Sequence, residues 1–297
     1  MAGKALEAGD QQGVLGILAG AGGLPWFAAR NALAAGETVR IFYYTDEAPP
    51  EDLRSIARPV VLTQMFASVV KSMEREKVAR LLLLGKADRE ILYNNPRFDL
   101  RSLWLLATMP DKSDTTIFNT ISRKIEKRGI RIIPQHTYLG DFFLRPGRYG
   151  RKATNARIRD VAFGMIHCVQ INEMDIGQTV VVGDLAVLAV EGAEGTDRCI
   201  RRGGELFQGK GAVVCKVAKR EHDERFDMPV TGMNTLDSMK AAGCRLLALE
   251  AARTLVVEPN RFVSEARKRN ITILALDPTR AAEVDLHRLN RWEAAIS

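Results

Sequence analysis

A short run of charged residues in the second half of the chain has the composition of a phosphoryl-transfer site. It reads Asp223-Glu-Arg-Phe-Asp-Met-Pro229. Because Pro229 disfavours a helix, we predict an extended segment, in which every second side chain shares a face. Asp223, Arg225 and Asp227 would then point the same way. In a functional site, the two carboxylates could hold a hard cation while the guanidinium neutralises phosphate oxygens. The alternative is a row of solvent-exposed ion pairs without a catalytic role.

Two further polar turns adjoin predicted hydrophobic strands. The turn Glu191-Gly-Ala-Glu-Gly-Thr-Asp197 carries three carboxylates and two glycines, and Thr196 or Asp197 can cap the helix that starts there. This turn holds more polar groups than a helix cap needs, so a functional turn is favoured over an acidic helix start. The second turn is Asp175-Ile-Gly-Gln178. With several carboxylates and no His/Cys cluster, these turns predict an anionic-substrate site with Mg²⁺ or Mn²⁺ in preference to zinc.

A glycine-rich turn follows the first predicted strand. Gly20-Ala-Gly-Gly23 lets the backbone approach a phosphate and leaves N–H groups free at a helix start. It matches neither GxGxxG nor the P-loop, and a tight strand-to-helix turn explains it equally well. Gly85-Lys86 ends another predicted strand in the same half. With Asp46 as a ribose-binding acid, the turn also allows an alternative function, a Rossmann-type NAD-dependent oxidoreductase.

The elements that must position these residues form two predicted domains. Strands and helices alternate over residues 13–145, which predicts a Rossmann-like domain with a parallel sheet. Residues 157–280 predict a second α/β domain with some antiparallel pairing, because Gly183-Asp184 has the length of a hairpin loop. Residues 146–156 are rich in glycine and basic residues and predict an exposed linker, with residues 281–297 as a tail.

Composition limits the class of protein. The net charge of +7 favours anionic partners, but no RNP-like aromatic motif accompanies it, so nucleic acid is not expected. A non-enzymatic binding protein for phosphorylated ligands is the second alternative. The four cysteines form no CxxC pair, which indicates a reducing compartment. With no long apolar run and no signal-like start, we expect a cytoplasmic protein.

Four motifs resemble a known family. They are LGILAGAGGLP at 15–25, DIGQ at 175–178, LAVEGAEGTDRCIRR at 188–202 and RFDMPVTG at 225–232. Together they are similar to the I-type UDP-2,3-diacylglucosamine pyrophosphatases, the LpxI family of bacteria that make lipid A. The resemblance runs from about Gly13 to Leu276. It implies Mg²⁺-dependent hydrolysis of UDP-2,3-diacylglucosamine to UMP and 2,3-diacylglucosamine 1-phosphate (lipid X), with attack favoured at the sugar-side phosphorus.

The resemblance also implies roles for individual residues. Asp227 is the expected essential acid, with Arg225 and Asp223 beside it. The expected metal ligands are Glu191, Glu194, Asp197 and Asp227. The expected nucleotide- and phosphate-binding residues are Gly20, Gly22, Gly23, Gly85, Lys86, Asp114, Thr196 and Lys216. Because the substrate carries two acyl chains, the inner membrane surface is an expected partner. Oligomeric state is left open, a homo-oligomer being one expectation.

Two positions depart from the family's usual pattern. Family members usually carry Gly-Asp-Asp after a lysine in the N-terminal domain, whereas this chain has Lys112-Ser-Asp114-Thr115 and keeps only the first acid. Members also tend to have glutamine before the acidic pair of the RxDxP segment, where this chain has His222. Neither departure touches Asp227 or the turn at 191–197.

Overall fold

The computed structural model describes residues 13–85, 98–109, 114–218, 223–226 and 228–276, without the side chains of residues 103, 105, 106, 114 and 115. The expected site residues Lys86 and Asp227 therefore lie outside the described residues, as does the side chain of Asp114. The chain divides into two compact units. The first contains the described residues up to Gly140 together with Glu224–Phe226, and the second contains the others.

The first unit is built on a parallel sheet. Its five strands are β1 (Val14–Ala19), β2 (Val39–Tyr43), β3 (Ala57–Pro59), β4 (Val78–Leu84) and β5 (Arg131–Ile132). They lie in the order β3-β2-β1-β4-β5 and all pair in parallel. The helices are α1 (Leu24–Ala34), α2 (Lys71–Arg75), α3 (Leu100–Thr108) and α4 (Asp114–Glu126), with a 3-10 turn at Glu51–Ile56 and a π-helical turn at Met65–Val70. The predicted parallel α/β architecture is confirmed.

The second unit has a mixed sheet of six strands. The strands of this unit are β6 (Gly147–Tyr149), β7 (Thr179–Gly183), β8 (Ala186–Val190), β9 (Val213–Lys216), β10 (Val230–Thr231), β11 (Leu246–Glu250), β12 (Leu255–Val256) and β13 (Thr272–Leu276). The large sheet has the order β6-β13-β11-β9-β7-β8, and β10 pairs with β12 separately. Strands β9, β11 and β13 are parallel, whereas β6, β7 and β8 pair antiparallel, so the predicted antiparallel pairing is confirmed.

Helices cover both faces of this sheet, because its strands are apolar on both sides. The helices are α5 (Asn155–Glu173), α6 (Thr196–Leu206), α7 (Met233–Ala241) and α8 (Pro259–Lys268). On β9, Val213 and Cys215 join the core cluster that includes α5, while Val214 joins the opposite cluster under α6, α7 and α8. Successive strand residues point to opposite faces, which accounts for this division. All four cysteines are buried and free.

Helix α5 is an element that the sequence analysis did not predict. Thr154 caps it, with the Thr154 hydroxyl accepting from the Arg157 N–H at 3.4 Å. Its buried face includes Ile158, Val161, Met165 and Cys168, at helical spacing. The cap and this spacing are visible in the sequence and would have been sufficient to predict the helix. Over the described residues, no helix is long and apolar enough to cross a membrane.

The predicted linker has more structure than its composition suggested. Within residues 146–156, strand β6 pairs antiparallel with β13, with Tyr149 opposite Ile273. The units separate after Gly140, and Leu144 is already buried in the core of the second unit. Pairing with a sheet edge satisfies backbone groups that an exposed linker would leave to water, which explains why these residues belong to the second unit.

Candidate functional site

The glycine-rich turn of the first unit lies where the winding of the sheet reverses. Strand β1 has β2 on one side and β4 on the other, and the turn follows its carboxyl end. Gly22 has φ of +100°, which a residue with a side chain rarely adopts. Gly23 begins α1 without a side-chain cap. Ligands of open α/β sheets bind beyond the strand ends at such reversals, and helix starts offer N–H groups to phosphate.

Gly20 and Gly85 are in direct contact at this reversal. The Gly20 N–H donates to the Leu84 carbonyl at 2.8 Å. A Cβ on Gly85 would lie 2.5 Å from the carbonyl carbon of Gly20, and Gly85 has φ of +92°. The two backbones can approach this closely because residue 85 has no side chain. The structure thus brings together two glycine turns that are 65 positions apart in the sequence.

In the second unit, the predicted polar turns meet at one edge of the sheet. Lys216 ends β9 and is in register with Thr179, the first residue of β7. Glu191 follows β8, and its N–H donates to the Thr179 carbonyl at 2.9 Å. Leu249 of β11 pairs with Lys216 on the other side. This is the carboxyl edge of the parallel strands, the edge at which α/β sheets bind ligands.

A chain of hydrogen bonds connects three of the expected site residues. Lys216 is only 4% exposed. Its Nζ donates to the Thr196 hydroxyl at 3.0 Å and, more weakly, to the Thr179 hydroxyl at 3.5 Å. Thr196 in turn donates to Glu191 Oε1 at 2.8 Å. Lys216 forms no salt bridge with the described residues. Its ammonium is therefore buried beside the neutral hydroxyls of Thr196 and Thr179.

The turn at 175–178 packs directly on Glu191. A Cβ on Gly177 would overlap the carbonyl oxygen of Glu191. The Gln178 carbonyl accepts from the Val217 N–H at 3.1 Å, one residue beyond Lys216. Glycine at 177 therefore allows the turn at 175–178 to pack against the backbone of Glu191.

The three carboxylates of the turn at 191–197 differ in their partners. Glu191 Oε2 and Asp197 Oδ1 are buried without a hydrogen-bond partner among the described residues. Both oxygens of Glu194 are engaged, Oε1 with Arg202 at 2.6 Å and Oε2 with the Gly192 N–H at 3.0 Å. The hydrogen bond from Arg202 is the main cause that lowers the pKa of Glu194. Glu194 closes the turn, whereas Glu191 and Asp197 have oxygens available for a ligand.

Within the described part of the chain, no group of three or more His, Cys, Asp or Glu side chains could hold a metal ion. Mg²⁺ commonly takes only one or two protein carboxylates and completes its shell with water and substrate phosphate. Glu191 Oε2 and Asp197 Oδ1 are buried without a hydrogen-bond partner among the described residues, and carboxylate oxygens are donors that such a cation takes, so the chemistry of these two residues fits it.

The segment around Arg225 is a turn, not the extended chain that we predicted. Glu224–Phe226 form this turn and belong to the first unit. Arg225 Nη1 donates to Glu126 Oε1 at 2.8 Å, and its guanidinium lies 5.4 Å from the centroid of the Phe118 ring. Pro229 excludes a helix but does not require extension, and packing against α4 decided the conformation. Asp223 and Arg225 therefore do not share an extended face.

Glu250 is a site residue that the sequence analysis missed. It ends β11 at the same sheet edge and is 4% exposed. Its Oε2 accepts from the Ala218 N–H at 2.8 Å, which ties the chain leaving β9 to β11. A carboxylate that ends an otherwise apolar strand, LLALE, was the available signal.

Comparison with known proteins agrees with this two-unit arrangement. The LpxI N-terminal domain matches residues 14–142, and the LpxI C-terminal domain matches residues 145–274. The UDP-2,3-diacylglucosamine pyrophosphatase LpxI of Caulobacter vibrioides is 28% identical over 280 residues, covering 89% of this chain and 98% of that protein. Because both LpxI domains are present in order and together account for most of its length, the chain belongs to the LpxI family, as a distant relative of the Caulobacter protein.

Proposed function

We propose that this protein hydrolyses the pyrophosphate bond of UDP-2,3-diacylglucosamine, releasing UMP and 2,3-diacylglucosamine 1-phosphate (lipid X) in lipid A biosynthesis. The observation that carries the proposal is the match of both LpxI domains, in order, over residues 14–142 and 145–274. The named activity of the Caulobacter relative supplies the substrate. Near-complete coverage of both chains means that neither domain is missing.

The polar sheet edge of the second unit supports this chemistry. Pyrophosphate hydrolysis concentrates negative charge on phosphoryl oxygens, and preorganised cations stabilise that charge best where water is excluded. Lys216 is a buried ammonium held by Thr196 and Thr179. We assign to Lys216 the neutralisation of a phosphoryl oxygen, and to Thr196 the orientation of that ammonium.

We assign the divalent cation to Glu191 and Asp197, whose buried oxygens have no partner among the described residues. When bound, Mg²⁺ or Mn²⁺ supplies Lewis-acid polarisation of a phosphoryl oxygen. Thr196 donates a hydrogen bond to Glu191 Oε1, whereas Oε2 of the same carboxylate has no hydrogen-bond partner among the described residues. Asp227, which the family resemblance implies as the essential acid, is the group assigned to hold or align the attacking water.

The glycine turns at Gly20–Gly23 and Gly85 are assigned to the nucleotide. The start of α1 at Gly23, which has no side-chain cap, suits a phosphate-bearing ligand. A diacylated substrate resides in a membrane, so the positively charged protein is proposed to act at the anionic inner leaflet.

The test is incubation of the purified protein with UDP-2,3-diacylglucosamine and Mg²⁺ in ¹⁸O-labelled water, with mass spectrometry of both products. We expect UMP and lipid X, with the label in lipid X if the sugar-side phosphorus is attacked. EDTA should abolish turnover, and Mg²⁺ or Mn²⁺ should restore it. Unchanged substrate under all metal conditions would reject the proposal. Fluorescence titration with NAD tests the oxidoreductase alternative on the same preparation.

A further inference from the structure

Helix α3 of the first unit exposes large apolar side chains to solvent. Leu100 is 86% exposed and Trp104 is 63% exposed. They are four residues apart, so they lie next to each other on one face of the helix. Single exposed apolar residues are common on protein surfaces, whereas contiguous ones mark places where a protein meets a partner or a membrane. This face of α3 is therefore a candidate interaction surface.

The other side of α3 is tied to the unit through Asp99. The Asp99 carboxylate caps the helix, accepting from the Ser102 N–H and from the Ser102 hydroxyl, each at 2.8 Å. It also accepts from the N–H groups of Phe66 and Ala67 in the π-helical turn, at 3.1 and 3.2 Å. Ser102 is buried. These bonds fix which side of α3 faces the unit, and the side with the large apolar residues is left in solvent.

A third exposed apolar residue lies on the segment to which α3 is tied. Val61 is 39% exposed, and its N–H donates to the hydroxyl of Ser68 in the π-helical turn at 2.9 Å. Val61 lies two residues beyond β3, at the carboxyl edge of the parallel strands. The glycine turn at 20–23 follows β1 at the same edge. Val61, Leu100 and Trp104 are together called the α3 patch.

The charged groups around the α3 patch complement an anionic surface. Arg101 is exposed on α3, and Lys71, which directly follows the π-helical turn, is exposed as well. Asp99 is the only carboxylate in residues 98–109, and it is engaged by Ser102 and by the π-helical turn. Exposed apolar residues that include tryptophan and are bordered by cations are typical of surfaces that lie on anionic lipid headgroups.

We propose that the α3 patch is a membrane-docking surface that places Leu100 and Trp104 among the headgroups and upper acyl chains of an anionic bilayer. The inference deepens the proposed function and rests on it for the choice of a bilayer as partner, because the proposed substrate carries two acyl chains. The net charge of +7 supplies a general attraction to such a surface. The α3 patch determines which part of the first unit meets it.

Co-sedimentation of the full chain with vesicles tests the α3 patch without any turnover. The vesicles consist of phosphatidylcholine alone or mixed with phosphatidylglycerol, and they contain no UDP-2,3-diacylglucosamine. We expect binding to the mixed vesicles that weakens as salt is raised, because salt screens attraction between exposed charges. Leu100→Ser and Trp104→Ser should each lower the partition coefficient by about 10-fold or more, since one large apolar side chain is no longer buried in lipid.

Leu206→Ser is the matched control. Leu206 is also 63% exposed, but it lies at the end of α6 in the second unit, so this variant should bind vesicles like the wild type. Trp104→Phe keeps an apolar ring and should retain most of the binding. Brominated lipids should quench wild-type tryptophan emission, and this quenching should be lost in Trp104→Phe. Equal Tm values for all variants show that each is folded.

The outcomes separate this inference from the proposed function. Vesicle binding that is unchanged in both serine variants of the α3 patch would overturn the docking surface, and so would an equal loss in Leu206→Ser. A wild-type dimer that becomes a monomer in Leu100→Ser, measured by light scattering without vesicles, would identify a contact between two copies instead of a membrane surface.

The remaining outcomes affect one inference at a time. A protein that hydrolyses detergent-dispersed UDP-2,3-diacylglucosamine but does not bind anionic vesicles would overturn the docking surface and leave the proposed function intact. A protein that binds vesicles through the α3 patch but hydrolyses none of this substrate would overturn the proposed function and support the docking surface.

Discussion

Single residues at the edge of the second sheet carry most of the proposed chemistry. Lys216 stands out because removing an ammonium from water costs free energy unless hydrogen-bond partners replace the lost hydration. Here the compensation comes from the hydroxyls of Thr196 and Thr179. Retaining such a costly group is typical of a functional site, where stability is given up for reactivity.

Lys216→Met tests this assignment, because methionine fills similar space without the charge. We expect turnover to fall by about 100-fold or more, since a charged stabiliser of phosphoryl oxygens contributes several kcal/mol in the transition state. The Tm should stay equal or rise, because replacing a buried charge with an apolar side chain is often stabilising. Steady-state kinetics and calorimetry on one preparation measure both. A lower Tm with normal turnover per folded molecule would make Lys216 structural.

Asp227→Ala tests the essential acid. If Asp227 holds or aligns the attacking water, turnover should fall on the order of 10³-fold or more, since such groups contribute several kcal/mol in the transition state. Substrate binding should survive, so the variant should retain intact substrate that can be detected by mass spectrometry. Near-normal turnover combined with a lowered Tm would contradict the assignment.

At the scale of elements, close contacts between turns and strands set the geometry of both units. In the first unit, Arg80 of β4 is buried and bonds both oxygens of Glu37, at 3.1 and 2.6 Å. The Tyr138 hydroxyl donates to the same carboxylate. Burial and the Glu37 hydrogen bond raise the pKa of Tyr138 to about 12, while the Arg80 hydrogen bond lowers the pKa of Glu37. This network joins β4 to the segments before β2 and after β5.

The Glu37 network predicts acid sensitivity of the first unit. A carboxyl whose folded-state pKa is lowered stabilises the fold above its unfolded value of about 4.3, and this contribution disappears as pH falls through the lowered folded-state pKa. Glu37→Gln should cost about 3–5 kcal/mol near pH 7, because it removes the carboxylate that pairs with the buried Arg80. Urea unfolding at several pH values should show this cost shrinking in acid. A cost independent of pH would contradict a charge-based network.

Gly177→Ala tests the contact between the two turns of the second unit. A Cβ at 177 would overlap the Glu191 carbonyl, so one turn must move and displace Glu191 from Thr196. We expect a lower Tm and reduced turnover. Gly140→Ala is the matched control, since nothing lies within 4 Å of the added Cβ. If both variants behave alike, the close approach at Gly177 does not matter for the site.

For the whole molecule, the net charge of +7 bears on how an anionic substrate is captured. Long-range attraction raises association rates and is screened by salt, with a Debye length of about 10 Å at 0.1 M. We expect kcat/KM to fall several-fold between about 50 and about 500 mM NaCl while kcat stays nearly constant. The control is binding to a non-specific DNA duplex. Tight, steeply salt-dependent DNA binding without hydrolase activity would favour the alternative of a binding protein.

The local pattern of the sequence was enough to predict the class of fold and most strands and helices. Buried strands such as β4 and β9 read as apolar runs, with Gly85 directly after β4 and Gly211 shortly before β9, because hydrophobic periodicity and turn chemistry are properties of neighbouring residues. The motifs around 191–197 and 225–232 likewise carried the family resemblance without any structure. Strand β6 was missed because three residues at a sheet edge carry almost no local pattern.

The tertiary structure alone decided which of these residues meet. Lys216 contacts Thr196 and Thr179 because the strand order places β7 beside β9, and no local periodicity encodes strand order. Phe226 stacks on Phe118, 108 positions earlier, so a segment expected to be extended became a turn. Glu250 entered the site because β11 pairs with β9. Such long-range contacts depend on the packing of the folded chain. The sequence pattern indicates only which secondary structure each segment favours by itself.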